Sequence, residues 1–219
     1  FIRSFAEYFK YYTDHPYEGI IIKADDDIVY VNSTMVQPFT NYLWNHRPQI
    51  FLLSASVVNQ GLCAHHQQQH GAIPLELQEF PFPSNGMGAL HTNATQAYAL
   101  HRYFLASETN RNRFFIPEPE FHSFNVSINI NFIAMRGSDM HETWELIQEK
   151  LRDENKYYDE GAITQDAIVK RKKLEGVYMP LVVAHAAFSH QHALHIEIMD
   201  LWTEWAKRER TDLYRGILT

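Results

Sequence analysis

Apolar runs rich in β-branched residues recur along the chain, and helical patterns separate them. The runs are "GIIIK" at 19–23, "QIFLLSASVV" at 49–58 and "YMPLVVAHAAF" at 178–188. Stiff β-branched side chains favour strands, while apolar residues at three-four spacing predict helices over 1–13 and 138–155. Strands that alternate with helices predict parallel pairing through helical crossovers. We therefore expect an α/β fold whose central sheet is mostly parallel and flanked by helices.

Composition sets limits on what this chain can do. Its 219 residues are 45% hydrophobic, which is enough to bury one substantial core. The 26 acidic residues outnumber the 19 basic ones, so binding that follows a nucleic-acid backbone is not expected. No apolar run is long enough to predict a membrane span in this segment. The single cysteine, Cys63, allows neither an internal disulfide nor a cysteine-based zinc site.

Three consecutive aspartates interrupt the apolar stretch "IIIKADDDIVYVN". In an extended chain residues i and i+2 project to the same side, so Asp25 and Asp27 can converge on one ligand while Asp26 points elsewhere. Adjacent carboxylates at a strand edge need a countercharge, and Mg²⁺ or Mn²⁺ prefer oxygen ligands together with substrate phosphates. The simpler alternative is a solvated acidic turn with capping aspartates.

Two other aspartate motifs are partial matches to this triplet. A DDxxD prenyl-diphosphate site lies on a long helix, whereas the flanks here favour strands and Tyr30 stands at the fifth position. The DxDx[TV] motif of haloacid-dehalogenase-type phosphatases matches "DDDIV" in spacing, but the accompanying Ser/Thr and Lys motifs have no convincing counterpart. Both alternatives stay open.

Histidines form two groups that could serve a site. His185 ends the apolar run "LVVAH", where a lone imidazole is either a ligand or a hydrogen-bonded core residue, and His190 follows nearby. The second group is His65, His66 and His70. Pro and Gly residues are scattered through 66–88, and we expect this segment to form a long functional loop or lid. We interpret this second group as a polar loop near the substrate rather than as a zinc site.

With these residues in view, the sequence resembles the nucleotide-sugar-dependent glycosyltransferases of the GT-A fold. The resemblance depends on "IIIKADDDIVYVN" as the DxD element, followed by "FLLSASVV", "INFIAMRG", "YYDEGAITQDAI" and "VVAHAAFSHQ" in that order. It covers most of the chain in the order of its elements. It implies a metal-dependent sugar transfer from a nucleotide-diphosphate donor to an acceptor hydroxyl, with Mn²⁺ or Mg²⁺ as the cofactor.

The resemblance also implies a role for individual residues. Asp25 contacts the nucleotide and the metal, Asp27 is the principal metal ligand, and His185, with His190 in reserve, completes the coordination. Further contacts to the nucleotide sugar come from Lys23, Asp26 and Arg136. For an inverting reaction, one of two acidic residues, Asp159 or Glu160, is nominated as the catalytic base.

The chain departs from the family pattern before the aspartates. A GT-A domain normally has a strand, helix and strand ahead of its DxD element, and here one helix and one strand precede Asp25. We therefore expect residues 1–219 to form a single glycosyltransferase-like domain that lacks its N-terminal part. A metal-dependent phosphohydrolase and a non-catalytic carbohydrate-binding or scaffold domain are the alternative functions.

Three N-glycosylation sequons favour the lumen of the secretory pathway over the cytoplasm. They are Asn32-Ser-Thr, Asn93-Ala-Thr and Asn125-Val-Ser.

Overall fold

The computed structural model of the chain describes residues 3–46, 49–83, 87–122, 126, 128–154, 161–166, 169, 172 and 174–217. The α-helices are α1 (Arg3–Asp14), α2 (Val36–Asn45), α3 (Gly61–Gln69), α4 (Ala94–Leu105), α5 (Glu108–Arg113), α6 (Met140–Glu154) and α7 (His195–Ile217). The strands are β1 (Ile20–Ala24), β2 (Ile28–Val31), β3 (Ile50–Val58), β4 (Glu120–His122), β5 (Phe132–Arg136) and β6 (Leu174–His185). Short 3₁₀ turns occupy Ser33–Met35, Ala89–Thr92, Gly137–Asp139 and Ser189–Leu194, and a π-helical turn occupies Ala162–Asp166.

The strands form one mixed sheet in the order β1-β5-β3-β6-β2, with β4 also paired to β6. Of the pairings between described strands, β3 with β6 is parallel, and β1 with β5, β3 with β5, β2 with β6 and β4 with β6 are antiparallel. The fold is α/β as expected, but the expectation of a mostly parallel sheet is wrong. The reason is that β5 inserts between β1 and β3 in the opposite direction, and its fully buried residues carry the same apolar signal in either direction.

The directions of the strands nevertheless bring three carboxyl ends to one edge of the sheet. Because β1 and β3 are both antiparallel to β5, they run in the same direction, and β6 is parallel to β3. The residues that follow or end these strands are Asp25, Asn59 and His185. The aspartates therefore lie at an edge where open α/β sheets commonly bind ligands.

Helices cover both faces of the sheet. Neighbouring residues of β4 point to opposite faces. Phe121 stacks near Tyr42 of α2, whereas His122 contacts His66 of α3. A close backbone contact fixes the start of α3, since a Cβ on Gly61 would lie 1.9 Å from the carbonyl oxygen of Met87.

Most of the predicted elements are present with shifted bounds. Helix α4 begins after Asn93, whose side chain caps the helix by accepting a hydrogen bond from the Gln96 N–H. Residues 66–88 are not one long loop, because α3 continues to Gln69 with its first turns buried. Within the stretch "INFIAMRG" the strand is β5, and the short strand β4 was not predicted. None of the helices in the described ranges has both the length and the apolar character needed to cross a bilayer.

Candidate metal centre

The turn that carries the three aspartates is fixed at both ends. The N–H of Asp25 donates to the carbonyl of Asn131, just before β5, at 2.8 Å. The carbonyl of Asp27 accepts from the N–H of Ala186, just after β6, at 3.0 Å. The turn is therefore attached to the sheet through its backbone, which fixes the positions from which the carboxylate side chains project.

Two side chains hold the carboxylate of Asp25. Lys23 Nζ lies 2.5 Å from one oxygen and also donates to the carbonyl of Ile130 at 2.9 Å. Asn131 Nδ2 donates to the other oxygen at 2.8 Å. Lys23 is two residues before Asp25, so both side chains leave the extended chain on the same side. Lys23 thus supplies part of the countercharge that the aspartate cluster requires.

Asp27 pairs with His185 from the last strand. His185 Nε2 lies 3.0 Å from Asp27 Oδ2, and the His185 side chain is 5% exposed. Burial favours a higher pKa for the Asp27 carboxyl, but the hydrogen bond and the charge of His185 outweigh it and lower the pKa. Nδ1 of His185 has no hydrogen-bond partner among the described residues, and the ring packs at a tilt against Phe188 with centroids 4.4 Å apart.

Asp25, Asp27 and His185 together form a group that could hold a metal ion. One potential ligand atom from each lies within 4.8 Å of the others. Two carboxylates and one imidazole suit Mn²⁺ and also Mg²⁺, which commonly keep water or phosphate oxygens as further ligands. The donor set present therefore fits the cofactor that the sequence resemblance implies.

A buried amide pair fixes the backbone that carries His185. Asn59 Nδ2 donates to Gln191 Oε1 at 2.8 Å, and Gln191 Nε2 donates to Asn59 Oδ1 at 3.0 Å. Asn59 Nδ2 also lies 3.3 Å from the carbonyl of His185 and 3.2 Å from that of Ala186. Asn59 has a φ of 73°, a left-handed conformation that Asn tolerates better than most residues. Neither amide was predicted from the sequence, although Asn59 directly follows the buried strand β3.

His101 supports the same segment from the helical layer. Its Nε2 donates to the carbonyl of Ala186 at 3.1 Å, and its Nδ1 accepts from the indole N–H of Trp202 at 3.2 Å. Burial lowers the pKa of His101 to about 4, so the imidazole is neutral at pH 7. This histidine links α4, α7 and the residue after His185, and nothing in the sequence pattern distinguished it from a surface histidine.

Aromatic and imidazole rings form the rim of the site. Phe188 lies between His185 and His91, with centroids 4.4 Å from each. The His91 and His190 rings are 5.4 Å apart. Burial lowers the pKa of His91, and the neighbouring His190 and His185 lower it further. His190 is exposed and belongs to this rim, whereas the imidazole that meets the carboxylates is that of His185.

The structure does not bring every proposed site residue to this edge. Asp26 is exposed and lies outside the group of three. Arg136 pairs with Ile20 at the opposite end of β1 and makes a buried ion pair with Asp139 at 2.6 Å. The structure therefore does not bring Arg136 to Asp25, because the antiparallel direction of β5 carries it to the other end of β1.

The two nominated catalytic bases, Asp159 and Glu160, lie outside the described residues.

Comparisons with known proteins identified no relative of this chain. No family model, no curated protein and no solved structure matches the chain.

Proposed function

We propose that the chain is a metal-dependent glycosyltransferase of GT-A type that uses a nucleotide-diphosphate sugar as donor. The observation that carries the proposal is the convergence of Asp25, Asp27 and His185 within 4.8 Å at the carboxyl edge of the sheet. In the family that the sequence resembles, a DxD pair and a histidine late in the chain likewise converge on one metal ion. These three residues would hold Mn²⁺ or Mg²⁺, which would supply positive charge toward the oxygens of a departing diphosphate.

The chain's own residues prepare the site for an anionic ligand. Lys23 holds Asp25 and brings a cation next to the metal ligands, where a phosphate oxygen can also reach it. His185 fixes Asp27, and the Asn59 and Gln191 amides hold the backbone of His185. Preorganised ligands of this kind lower the reorganisation that binding of the metal requires.

Calorimetric titration with nucleoside diphosphates and nucleotide sugars, with and without Mn²⁺, tests the proposal. The titrations use the longest natural form of the chain, because the family pattern places part of the nucleotide site before the DxD element. We expect one nucleotide to bind in a Mn²⁺-dependent manner and Asp27→Asn to weaken that binding by at least about tenfold, since a ligand carboxylate is lost. Asp200→Asn, on the exposed side of α7, is the matched control.

A sugar-transfer assay with the nucleotide that binds completes the test. Metal-dependent transfer that Asp27→Asn abolishes supports the proposal. Release of phosphate from simple phosphoesters without sugar transfer would instead favour a metal-dependent phosphohydrolase. A folded protein that binds none of the nucleotides would favour a non-catalytic carbohydrate-binding domain.

A further inference from the structure

A second group of potential metal ligands lies between α3 and β4. His66 and His70 are four residues apart at the C-terminal end of α3, so they occupy one face of the helix. Glu120 and His122 are two residues apart on β4 and project from one face of the strand. These two faces meet, because His66 Nε2 lies 3.1 Å from His122 Nε2 and His70 Nε2 lies 2.8 Å from Glu120 Oε1.

This group is separate from the aspartate site. His122 pairs with Glu175 near the start of β6, whereas His185 ends that strand ten residues later. Ten residues of extended strand span roughly 30 Å. The same ion therefore cannot contact both groups.

The distance between the two imidazoles is close to that of two ligands on one metal ion. Bonds from zinc to histidine nitrogen are about 2.0–2.1 Å, so two nitrogens of a tetrahedral site are about 3.4 Å apart. The 3.1 Å between His66 and His122 requires little movement to reach that value. His65 is adjacent to His66 on α3 and therefore projects from a different face of the helix, and its Nδ1 donates to the carbonyl of Phe80 at 2.9 Å.

The other two side chains have room to turn toward this histidine pair. The side chains of His70 and Glu120 are 39% and 31% exposed, and they already contact each other. His70 lies one helical turn from His66, and Glu120 lies next to His122 on the same strand face. Together the four side chains offer three nitrogens and one carboxylate.

A separate observation, the environment of Glu175, distinguishes this cluster from a group of surface histidines. Glu175 is 2% exposed, and its Oε2 has no hydrogen-bond partner within the described part of the chain. Directly opposed residues of antiparallel strands project to the same face, so Glu175 lies beside His122 on the face that α3 covers. A buried carboxyl oxygen without a partner is costly, and an ion or a metal-bound imidazole beside it would give it one.

We propose that His66, His70, Glu120 and His122 bind a zinc-type transition-metal ion between α3 and β4. This nitrogen-rich set differs in preference from the aspartate site, because imidazole suits Zn²⁺ whereas carboxylate oxygens suit Mn²⁺ and Mg²⁺. The ion ties α3 to the short strand β4 and makes the contact between them dependent on metal. The proposal is independent of the glycosyltransferase activity.

Zinc titration of the chelator-treated protein tests this proposal. All variants carry Asp27→Asn, so that the first site does not contribute to the signal. We expect one Zn²⁺ per chain and an affinity for Zn²⁺ at least about tenfold above that for Mn²⁺. His66→Gln and His122→Gln should each weaken zinc binding by at least about tenfold, while His141→Gln, at an exposed histidine of α6, leaves it unchanged.

Two further measurements keep the test decisive. His70→Gln changes a partly exposed side chain, so it reports on zinc binding even if a buried variant fails to fold. Co²⁺ substitution should give the intense visible absorption of a four-coordinate site, and the His70→Gln variant should reduce it. Undiminished zinc affinity in the folded His70→Gln and His66→Gln variants, or no zinc binding by the parent Asp27→Asn protein, would overturn the proposal. In that case the histidine contact is a polar link between the two elements.

Discussion

The three adjacent aspartates have three different environments. The Asp25 carboxylate is held by Lys23 and Asn131, Asp27 is held by His185, and Asp26 is exposed. The repulsion within the triplet is therefore reduced by a cation on one side and an imidazole on the other. This arrangement keeps two carboxylates close enough to share one ion.

Lys23 should weaken the binding of a metal ion when no nucleotide is present. Its ammonium group contacts Asp25, so a divalent ion at the same carboxylate is repelled. We expect Lys23→Met to raise the affinity for Mn²⁺ alone by about tenfold, which corresponds to a charge interaction a few ångströms apart at a partly solvated site. The same variant should lower the affinity for a nucleoside diphosphate with Mn²⁺. Calorimetry of both titrations measures the two effects.

Lys10→Met is the matched control for this prediction. Lys10 forms an exposed ion pair with Asp14 on α1, away from the aspartate turn. It should change neither titration. A Lys23→Met variant that binds both Mn²⁺ and the nucleotide as wild type does would show that Lys23 has no electrostatic part in the site.

The sequence predicted those site residues that are defined by local spacing. Asp25 and Asp27 follow from the i, i+2 rule, and His185 follows from its place at the end of an apolar strand. Asn59, Gln191 and His101 could not be predicted, because their roles depend on contacts across 85 to 132 positions of the chain. The distance of Arg136 from Asp25 could not be predicted for the same reason, since its place depends on the direction of β5.

At the level of elements, buried polar groups join the helices to the sheet. His101 of α4 connects the indole of Trp202 on α7 to the backbone next to His185. Both ring nitrogens of His101 have hydrogen-bond partners while the imidazole is neutral. Protonation would force a second donor against the Trp202 N–H and leave a buried charge, so the connection depends on pH.

The protein should lose stability through His101 as the pH falls below about 6.5. The unfolded chain takes up a proton near the ordinary pKa of 6.5, whereas burial holds the folded pKa at about 4. The unfolded state therefore binds more protons between these values, and acidification favours it by about 2 kcal/mol between pH 6.5 and 5. Urea denaturation at pH 7 and pH 5 should show that His101→Gln loses less stability than wild type by about this amount.

An exposed histidine, His15, provides the comparison for this measurement. His66, whose pKa burial also lowers to about 4, is retained in every variant, so its effect cancels in the differences. His15→Gln should follow the wild-type pH dependence. Equal losses for His101→Gln and wild type would mean that His101 does not titrate differently in the two states.

Glu175 of β6 should have the opposite dependence on pH. Burial raises the pKa of its carboxyl from 4.5 to about 9, so the folded state keeps a proton that the unfolded state releases above pH 4.5. Stability is then lost as the pH rises from 4.5 toward 9. Glutamine has the same shape and no proton to release, so in metal-free protein Glu175→Gln should gain about 1 kcal/mol per pH unit relative to wild type.

Denaturation at pH 5.5 and 7.5 in the presence of a chelator measures that gain. Glu204→Gln, on the solvent side of α7, is the control and should show no such trend. A stability difference between Glu175→Gln and wild type that is the same at both values would contradict a raised pKa for Glu175.

At the scale of the whole molecule, the aspartate turn connects the two ends of the sheet. β1 and β2 are the terminal strands in the sheet order, and yet three residues join them along the chain. Three residues span only about 10–13 Å, so the sheet must curve until its ends approach each other. Local pattern predicted the longer strands and most helices, though not β4, but this curvature depends on strand order, which local pattern does not contain.

Because this turn joins the strands at the two ends of the curved sheet, an ion bound to it should stabilise the whole fold and not only the loop. Mn²⁺ bound to Asp25, Asp27 and His185 connects the end of β1 to the end of β6, and both contacts are lost on unfolding. At a free Mn²⁺ concentration 100 times the dissociation constant, the free energy of unfolding should rise by about 2.7 kcal/mol. For a chain of this size, that increase corresponds to a rise in Tm of about 5–10 °C.

Thermal unfolding followed by circular dichroism, with and without Mn²⁺, should show this rise in wild type and in Asp26→Asn, which removes the exposed carboxylate of the same turn. Asp27→Asn should abolish it, and a rise of equal size in Asp27→Asn would mean that the ion stabilises the protein from a different place.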